Sequence, residues 1–530
     1  MYPSANRTAT TSLSLALLLL AALPAGCIAD TTRSPESTDT GLHSDIQRDT
    51  PDAANDPDQD GIPSSADLCP ETYDPRQKDW DKDGAGDACD PTIDLNESNA
   101  LVMRDLPVYE HAPLSVDSIG DFDGDGSSDF AIGIPNAKNG TGEVRLYSGE
   151  DFSDPAGKFT QIDPQATLVG DQSGALVGCE VGGVGDVNGD GYGDFIALQC
   201  RHYERQLAHL ILGGPKPILS GDIDSLSEMK FDVSRSNGVP GVEILRLNDL
   251  NTDGFEDFAL GSSAWMRVIR VIPGAGSFPK EVGCGNYHCV DDWVAAASSV
   301  EVPEPAANDA PIHFSVLGDI DGDSKLDLGL VDDLQTDGPE IDVSVVSVSK
   351  LPTEVGSSIP MNSISESSSL SSASGVPKFT PLGDLNGDGL SDFSFSFPET
   401  SATKIFFGAS GDQFPYNWHA PDTEILHNSG SHLIGAFDLN SDGFSDLVFV
   451  NNGHAFLLSG SRNWSEEVVA TQPQHFDATL NTAEIQTISR VQLAELGNFP
   501  RSQRRRFGLV IEGAEDESGT IWVFGGDLPY

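Results

Sequence analysis

Six times along the chain, carboxylate and amide side chains recur at alternate positions of a short, glycine-bearing segment. The first copy is G-D-F-D-G-D-G-S-S-D-F, with Asp121, Asp123, Asp125 and Asp129 at positions one, three, five and nine. The same positions hold Asp186, Asn188, Asp190 and Asp194 in the second copy, and Asp249, Asn251, Asp253 and Asp257 in the third. They hold Asp319, Asp321, Asp323 and Asp327 in the fourth, Asp384, Asn386, Asp388 and Asp392 in the fifth, and Asp438, Asn440, Asp442 and Asp446 in the sixth. Oxygens spaced in this way around a tight turn converge on one point, and Ca²⁺ takes six to eight oxygen ligands. Two unit charges about 5 Å apart repel by roughly 3 kcal/mol at an effective dielectric near 20, so three or four carboxylates in one loop call for a cation. Solvated Asp/Gly turns, the alternative, do not account for six copies of one spacing. Position seven (Ser127, Tyr192, Phe255, Lys325, Leu390, Phe444) varies in type, as expected of a ligand that offers only its backbone carbonyl. Position six is Gly in five copies and Ser324 in the fourth, which predicts a weaker site there.

These residues need elements to hold them. A helix–loop–helix calcium site requires Glu at position twelve, but here that position is Ile132, Ala197, Leu260, Leu330, Phe395 and Phe449. Each loop leads into a short apolar run such as D-F-A-I-G-I-P, then a turn, then an alternating run such as G-E-V-R-L-Y-S-G. Period two bounded by Gly, Pro and Asn predicts strands, so each loop joins two strands as a hairpin. Successive first positions lie 65, 63, 70, 65 and 54 residues apart, the mark of a repeat architecture. A damaged seventh copy, L-G-N-F-P-R-S-Q-R-R-R-F-G-L-V, starts at Asn498 and has Arg506 in place of the last Asp. Its Arg501, Arg504, Arg505 and Arg506 allow two readings, a guanidinium that stands in for the missing ion or a solvated charge run. Seven units in about 430 residues give roughly 61 each, which suits a four-stranded propeller blade with loops.

A separate unit lies ahead of these repeats. Its first loop has Asp56, Asp58, Asp60, Gly61 and Asp67, and its second has Asp79, Asp81, Asp83, Gly84, Asp87 and Asp90. With few apolar residues, metal and a Cys69–Cys89 bridge are expected to replace a core. The stretch, with its C-P and D-P-R-Q elements, closely resembles a thrombospondin type 3 repeat. That resemblance implies a calcium-dependent fold, with one or two ions held in residues 56–95.

The six loops and the F-x-x-G strand starts that follow them resemble the FG-GAP repeats of the integrin α-subunit head and its bacterial relatives. The resemblance covers 101–530. It implies an all-β, seven-bladed β-propeller with about six Ca²⁺ ions on blade hairpins and a ring closed by strands from both chain ends. Residues 101–109 are expected beside 519–525.

The rest of the sequence sets compartment and partners. With 83 acidic and 29 basic residues the formal charge is −54, which excludes the basic footprint that nucleic acid requires. Residues 1–27 form a signal segment whose apolar run, Leu13 to Leu23, is too short to span a bilayer. It ends in L-P-A-G-C, which resembles a bacterial lipoprotein signal, so Cys27 is predicted to carry lipid; ordinary cleavage after Cys27 or Ala29 is the alternative. Residues 28–55, rich in Thr, Ser, Asp and Pro, read as a disordered tether. The other cysteines fall into local pairs, Cys69–Cys89, Cys179–Cys200 and Cys284–Cys289, unless they are buried thiols. The Ser-rich stretch from Ile364 to Gly375 reads as a long loop or blade insertion. No zinc-protease, nucleophile-elbow or phosphate-loop motif is present. The function expected is a secreted, surface-anchored binding or adhesion module for an extracellular protein or glycan. An enzyme acting on polysaccharides or esters and a structural envelope protein are the alternatives.

Overall fold

The computed structural model describes residues 56–95, 100–108, 113–152, 163–200, 206–216, 218–233, 242–262, 268–282, 297–301, 312–333, 340–355, 357–360, 366–371, 377–396, 400–410, 420–428, 431–451, 454–472, 476–481, 488–498, 505–513, 518–525 and 528. The chain divides into Met1–Thr50 and Pro51–Tyr530, and every described residue lies in the second unit.

That unit is a seven-bladed β-propeller. The first blade runs outward through Ser115–Gly120, Asp129–Ile134, Glu143–Tyr147 and Ala166–Val169, each antiparallel to the last. Five further blades begin with the innermost strands Val177–Gly185, Val242–Asn248, Ile312–Gly318, Lys378–Gly383 and His432–Phe437. The seventh begins with Ile488–Asn498. These innermost strands neighbour one another in cyclic order, and the seventh returns to the first. Second strands are covered on both faces by adjoining blades, so Asp129–Ile134 and Asp194–Gln199 are buried along their whole length. The cores lie between blades. Ile119 and Ala131 of the first blade, for example, pack with Val181 and Phe195 of the second.

The ring closes as the sequence predicts. Ala100–Pro107 pairs antiparallel with Ser518–Gly525, and Leu101 lies opposite Val523. The last blade is thus built from both ends of the repeat region, which removes a free sheet edge.

Among the described residues, five blades carry a fifth, parallel edge strand borrowed from the chain that leads to the next blade's outer strand. These are Gly221–Asp222, Glu281–Val282, Ser358–Pro360, Glu467–Ala470 and, on the sixth blade, Thr92–Asp94. Thr92–Asp94 precedes Ala100–Pro107 just as Glu467–Ala470 precedes Ala478–Asn481, so it follows the propeller's own rule. Ile93 and Leu95 are buried with Leu457, Leu480 and Trp522, and Trp80 packs against the same cluster. The N-terminal repeat is therefore seated on the propeller through apolar contacts.

The Ser-rich stretch departs from expectation. Glu366–Ser371 is the outer strand of the fourth blade, paired with Glu340–Ser347. An outer strand needs backbone pairing on one side only, and serine does not prevent it. Cys69–Cys89 and Cys179–Cys200 are disulfides. Cys27, Cys284, Cys289, Arg501 and Arg504 lie outside the described residues, and Arg505 and Arg506 are described only as strand backbone. Among the described residues, no helix is long and apolar enough to cross a membrane.

Candidate metal centre

Each repeated loop joins the first and second strands of its blade, so all six lie at the same end of the ring. In the first loop the backbone turns its N–H groups onto the carboxylates. Gly124 and Gly126 donate to Asp121 Oδ1 and Oδ2 (2.8 and 3.0 Å), Asp125 to Asp123 Oδ1 (3.1 Å) and Ser127 to Asp125 Oδ1 (2.8 Å). Donation from position six to the first Asp recurs from Gly191, Gly254, Ser324, Gly389 and Gly443, at 2.8, 3.0, 2.9, 2.9 and 3.2 Å. This winding needs left-handed backbone at positions four and six. Gly124 and Gly126 take φ of 79° and 88°, whereas Thr252, Ser441 and Ser324 adopt 61°, 61° and 66° despite their side chains. The demand at position four was not read from the sequence, because Thr252 and Ser441 break the glycine pattern there.

Position nine opens the second strand and is buried in all six loops, with Asp129, Asp194, Asp327, Asp392 and Asp446 fully inaccessible and Asp257 at 1% exposure. Asp129 Oδ2 accepts from Phe122 and Asp123 (2.9 and 3.2 Å), and its Oδ1 accepts from Gly149 beyond the third strand (2.8 Å). Asp194, Asp257, Asp392 and Asp446 likewise take one N–H from position two of the loop and another from Gly213, Gly274, Gly408 and Gly460. This carboxylate therefore ties three segments of its blade together. Burial outweighs these hydrogen bonds and pushes Asp129, Asp194, Asp327 and Asp392 up to about 7; neighbouring aspartates add to the shift.

Successive loops touch. The position-eight N–H groups of Gly193, Glu256, Ser391 and Ser445 donate to the position-one carbonyls of Asp121, Asp186, Asp319 and Asp384 in the preceding loop (2.9, 3.1, 2.8 and 2.9 Å). Tyr192, Phe255, Leu390 and Phe444 at position seven lie over Gly124, Gly189, Gly322 and Gly387 at position four of the preceding loop, where an added Cβ would meet them. Variation at position seven thus has a second cause besides a carbonyl ligand, because its side chain packs between blades.

The two N-terminal loops have the same frame. Gln59 and Gly61, and Lys82 and Gly84, take positive φ at positions four and six. Gly61 donates to Asp56 Oδ2 and Gly84 to Asp79 Oδ2 (both 3.1 Å). Asp87 receives the Trp80 N–H at 2.7 Å, the counterpart of Asp129 with Phe122, and Asp90 accepts from Thr92 at 2.7 Å. Burial raises Asp58, Asp81 and Asp87 above the ordinary carboxylate range. Asp81 Oδ2 accepts the Asp94 N–H at 2.7 Å, which links the second loop to the edge strand on the sixth blade.

Among the described residues, four groups each bring three carboxylate oxygens within 4.8 Å: Asp56, Asp58 and Asp60; Asp79, Asp81 and Asp83; Asp121, Asp123 and Asp129; Asp319, Asp321 and Asp327. In the second, third, fifth and sixth loops the position-three amides of Asn188, Asn251, Asn386 and Asn440 donate to Oδ2 of the position-five Asp (2.9, 2.9, 3.1 and 3.1 Å). Buried oxygens without a hydrogen-bond donor include Asp56 Oδ1, Asp58 Oδ2, Asp67 Oδ2, Asp79 Oδ1 and Asp327 Oδ1. A buried carboxylate oxygen without a donor is costly unless a cation meets it, so these donor sets fit a hard divalent ion. Asp74 belongs with them: its Oδ2 is buried and unpartnered, and its N–H donates to Asp60 Oδ2 at 3.2 Å. The D-P-R-Q element carried that signal in the sequence. Lys216, whose ammonium reaches Asp123 and Asp125, was also not anticipated. Nothing in its G-G-P-K context marks it.

The fold and loops define a class, a seven-bladed propeller with acidic hairpin loops at one end. Residues 115–147, the first blade's inner three strands with their loop, match the model of the FG-GAP repeat. Over 162 residues the chain is 28% identical to integrin alpha-V of Gallus gallus, a match that covers 27% of this chain and 13% of that protein. The match thus spans well under a fifth of the integrin's length. Among solved structures, one is described as the structural basis of specific recognition of non-reducing terminal N-acetylglucosamine by an Agrocybe aegerita lectin. It has 14% identity, covers 79% of this chain and 91% of that one, and gives a TM-score of 0.33. Another, Chaetomium thermophilum Polycomb Repressive Complex 2 bound to GSK126, has 9% identity, covers 82% and 99%, and gives a TM-score of 0.44. Neither likeness bears on ligand or activity.

Proposed function

We propose that this chain is a secreted binding module of the adhesion type, held at a cell surface by lipid on Cys27, in which Ca²⁺ sets the shape of the binding end. About six ions would sit in the propeller loops, on side-chain oxygens of positions one, three, five and nine and the carbonyl of position seven. One or two more would sit among Asp56, Asp58, Asp60, Asp67 and Asp74, and among Asp79, Asp81, Asp83, Asp87 and Asp90. The observation that carries this reading is that one loop geometry is built eight times, and that four of these loops hold buried carboxylate oxygens that lack donors. The match to integrin alpha-V supports a role in recognising an extracellular protein or glycan rather than in catalysis. Loops at one end of a rigid ring make a broad surface suited to such a partner.

The test is capture. The full chain, immobilised, is offered glycans and extracellular matrix proteins in 1 mM CaCl₂ (an assay condition of about that order) and again in chelator. Retention of a ligand that chelation abolishes is expected. Equal retention in both buffers, or turnover of an offered glycan, contradicts the reading.

A further inference from the structure

In the first propeller loop a side-chain cation lies against the carboxylates. Lys216 Nζ lies 3.1 Å from Asp123 Oδ2 and 3.0 Å from Asp125 Oδ2, with Ser148 Oγ at 3.4 Å and Glu150 Oε2 at 3.7 Å. The Oδ1 atoms of the two aspartates are engaged by backbone N–H groups of the loop. Lys216 therefore donates a hydrogen bond to Asp125 Oδ2 and lies within ion-pair distance of Asp123 Oδ2, which is buried and receives no hydrogen bond; these are the oxygens that a divalent ion would use.

The lysine is delivered from the next blade. Its turn is anchored by Gly214 N–H on Phe122 O (2.9 Å) and Gly213 N–H on Asp194 Oδ1 (2.8 Å). Four other loops are covered in the same way, by Ala275 on Val187, Ala409 on Ile320, Ser461 on Leu385 and Leu528 on Leu439. Two residues beyond those anchors the chain has Ser277, Gly411, Asn463 and Tyr530, none of them a cation. Charge explains the exception. The loops with Asn at position three carry three carboxylates, and the Asn amide donates to position five. The first loop has Asp123 there, and Lys216 offsets the added charge. The fourth loop also has Asp at position three, but in sequence the residue two beyond its anchor is Gly411.

We infer that Lys216 is an intramolecular competitor for the first loop's metal: a divalent ion enters only by displacing its ammonium. The inference rests on the metal reading above and adds an order of occupancy. The first loop fills last and empties first, after even the fourth, where Ser324 keeps the position-six turn at φ 66° and donates to Asp319 Oδ2 at 2.9 Å, and its filling releases an amine from the contact between the first two blades.

Two measurements on the full-length protein test this. Peptide-resolved amine labelling by mass spectrometry is run in chelator and in CaCl₂. Lys216 should be labelled several-fold faster with Ca²⁺, while Lys350 and Lys404 keep their rates. Calcium titration by calorimetry is then compared between the native chain, Lys216→Met and Lys216→Arg. The weakest propeller site should tighten about tenfold or more in Lys216→Met and stay weak in Lys216→Arg. If the other sites load but Lys216 labelling and the weakest site do not change, competition is refuted and the metal reading stands. If no variant takes up Ca²⁺, both fail.

Discussion

At the scale of single residues, positions five and nine of each loop hold the same side chain for different reasons. Asp446 accepts Leu439 and Gly460 N–H groups inside the sixth blade, whereas Asp442 lies in the exposed turn and accepts Phe444 N–H. Asp446→Asn turns an amide donor toward one of two backbone donors and should cost about 1–3 kcal/mol even in chelator. Asp442→Asn should cost little in chelator but forfeit up to roughly 2.7 kcal/mol at free Ca²⁺ a hundredfold above Kd. Denaturant unfolding with and without Ca²⁺ separates the two, and equal losses in both buffers for both variants would refute the distinction. The pH dependence follows from the same burial. Without metal, the folded state holds Asp129, Asp194, Asp327 and Asp392 at about 7, above their unfolded value of 3.8, so it binds more protons there. In chelator, stability should therefore rise as pH falls from about 8 to about 6.5. Buried His209, lowered by desolvation from 6.5 to about 4, acts in the opposite direction once the unfolded imidazole begins to protonate near the lower end of this interval, but one imidazole there is outweighed by four carboxylates. With Ca²⁺ holding the carboxylates ionised, the rise should vanish or reverse in thermal melts across that interval.

At the scale of elements, the unit is a loop with its neighbour rather than a lone hairpin. Gly124, at φ 79°, lies beneath Tyr192 of the next loop. Gly124→Ala should destabilise by about 1–3 kcal/mol, and in a double-mutant cycle with Tyr192→Ala part of that loss should be recovered. Strict additivity would mean that the contact between loops carries no energy. Much of this level was legible in the sequence, because spacing by alternate residues fixes the loop and the apolar run after it fixes the strand. The strands, the seven blades and the two disulfides among the described residues follow from such local signals. Contacts between repeats were not legible. Position seven touches position four of another blade about 65 residues away, and its varied side chains look unconstrained when read along the chain. Lys216 and the edge strand Thr92–Asp94 were hidden for the same reason, since each acts on a blade other than its own.

At the scale of the whole molecule, closure depends on the segment that links the N-terminal repeat to the ring. Thr92–Asp94 and Ala100–Pro107 clasp the sixth and seventh blades, and Asp81 holds the Asp94 N–H. A chain that begins at residue 108 would leave Ser518–Gly525 as an open edge. It should melt lower and associate in size-exclusion chromatography, whereas a chain that begins at residue 91 should remain a single species. If the two truncations behave alike, the N-terminal strand is not the clasp.

The claim on which the rest depends is that these loops are cation sites that stabilise the ring. The most direct measurement is bound-metal stoichiometry by elemental mass spectrometry after equilibrium dialysis against Ca²⁺, with the melting temperature recorded on the same samples. About six ions in the propeller, one or two more in the N-terminal repeat, and a sharp drop in melting temperature when chelator strips them are the predicted result. Dialysed protein that holds no calcium, or a melting curve unmoved by chelator, would contradict it.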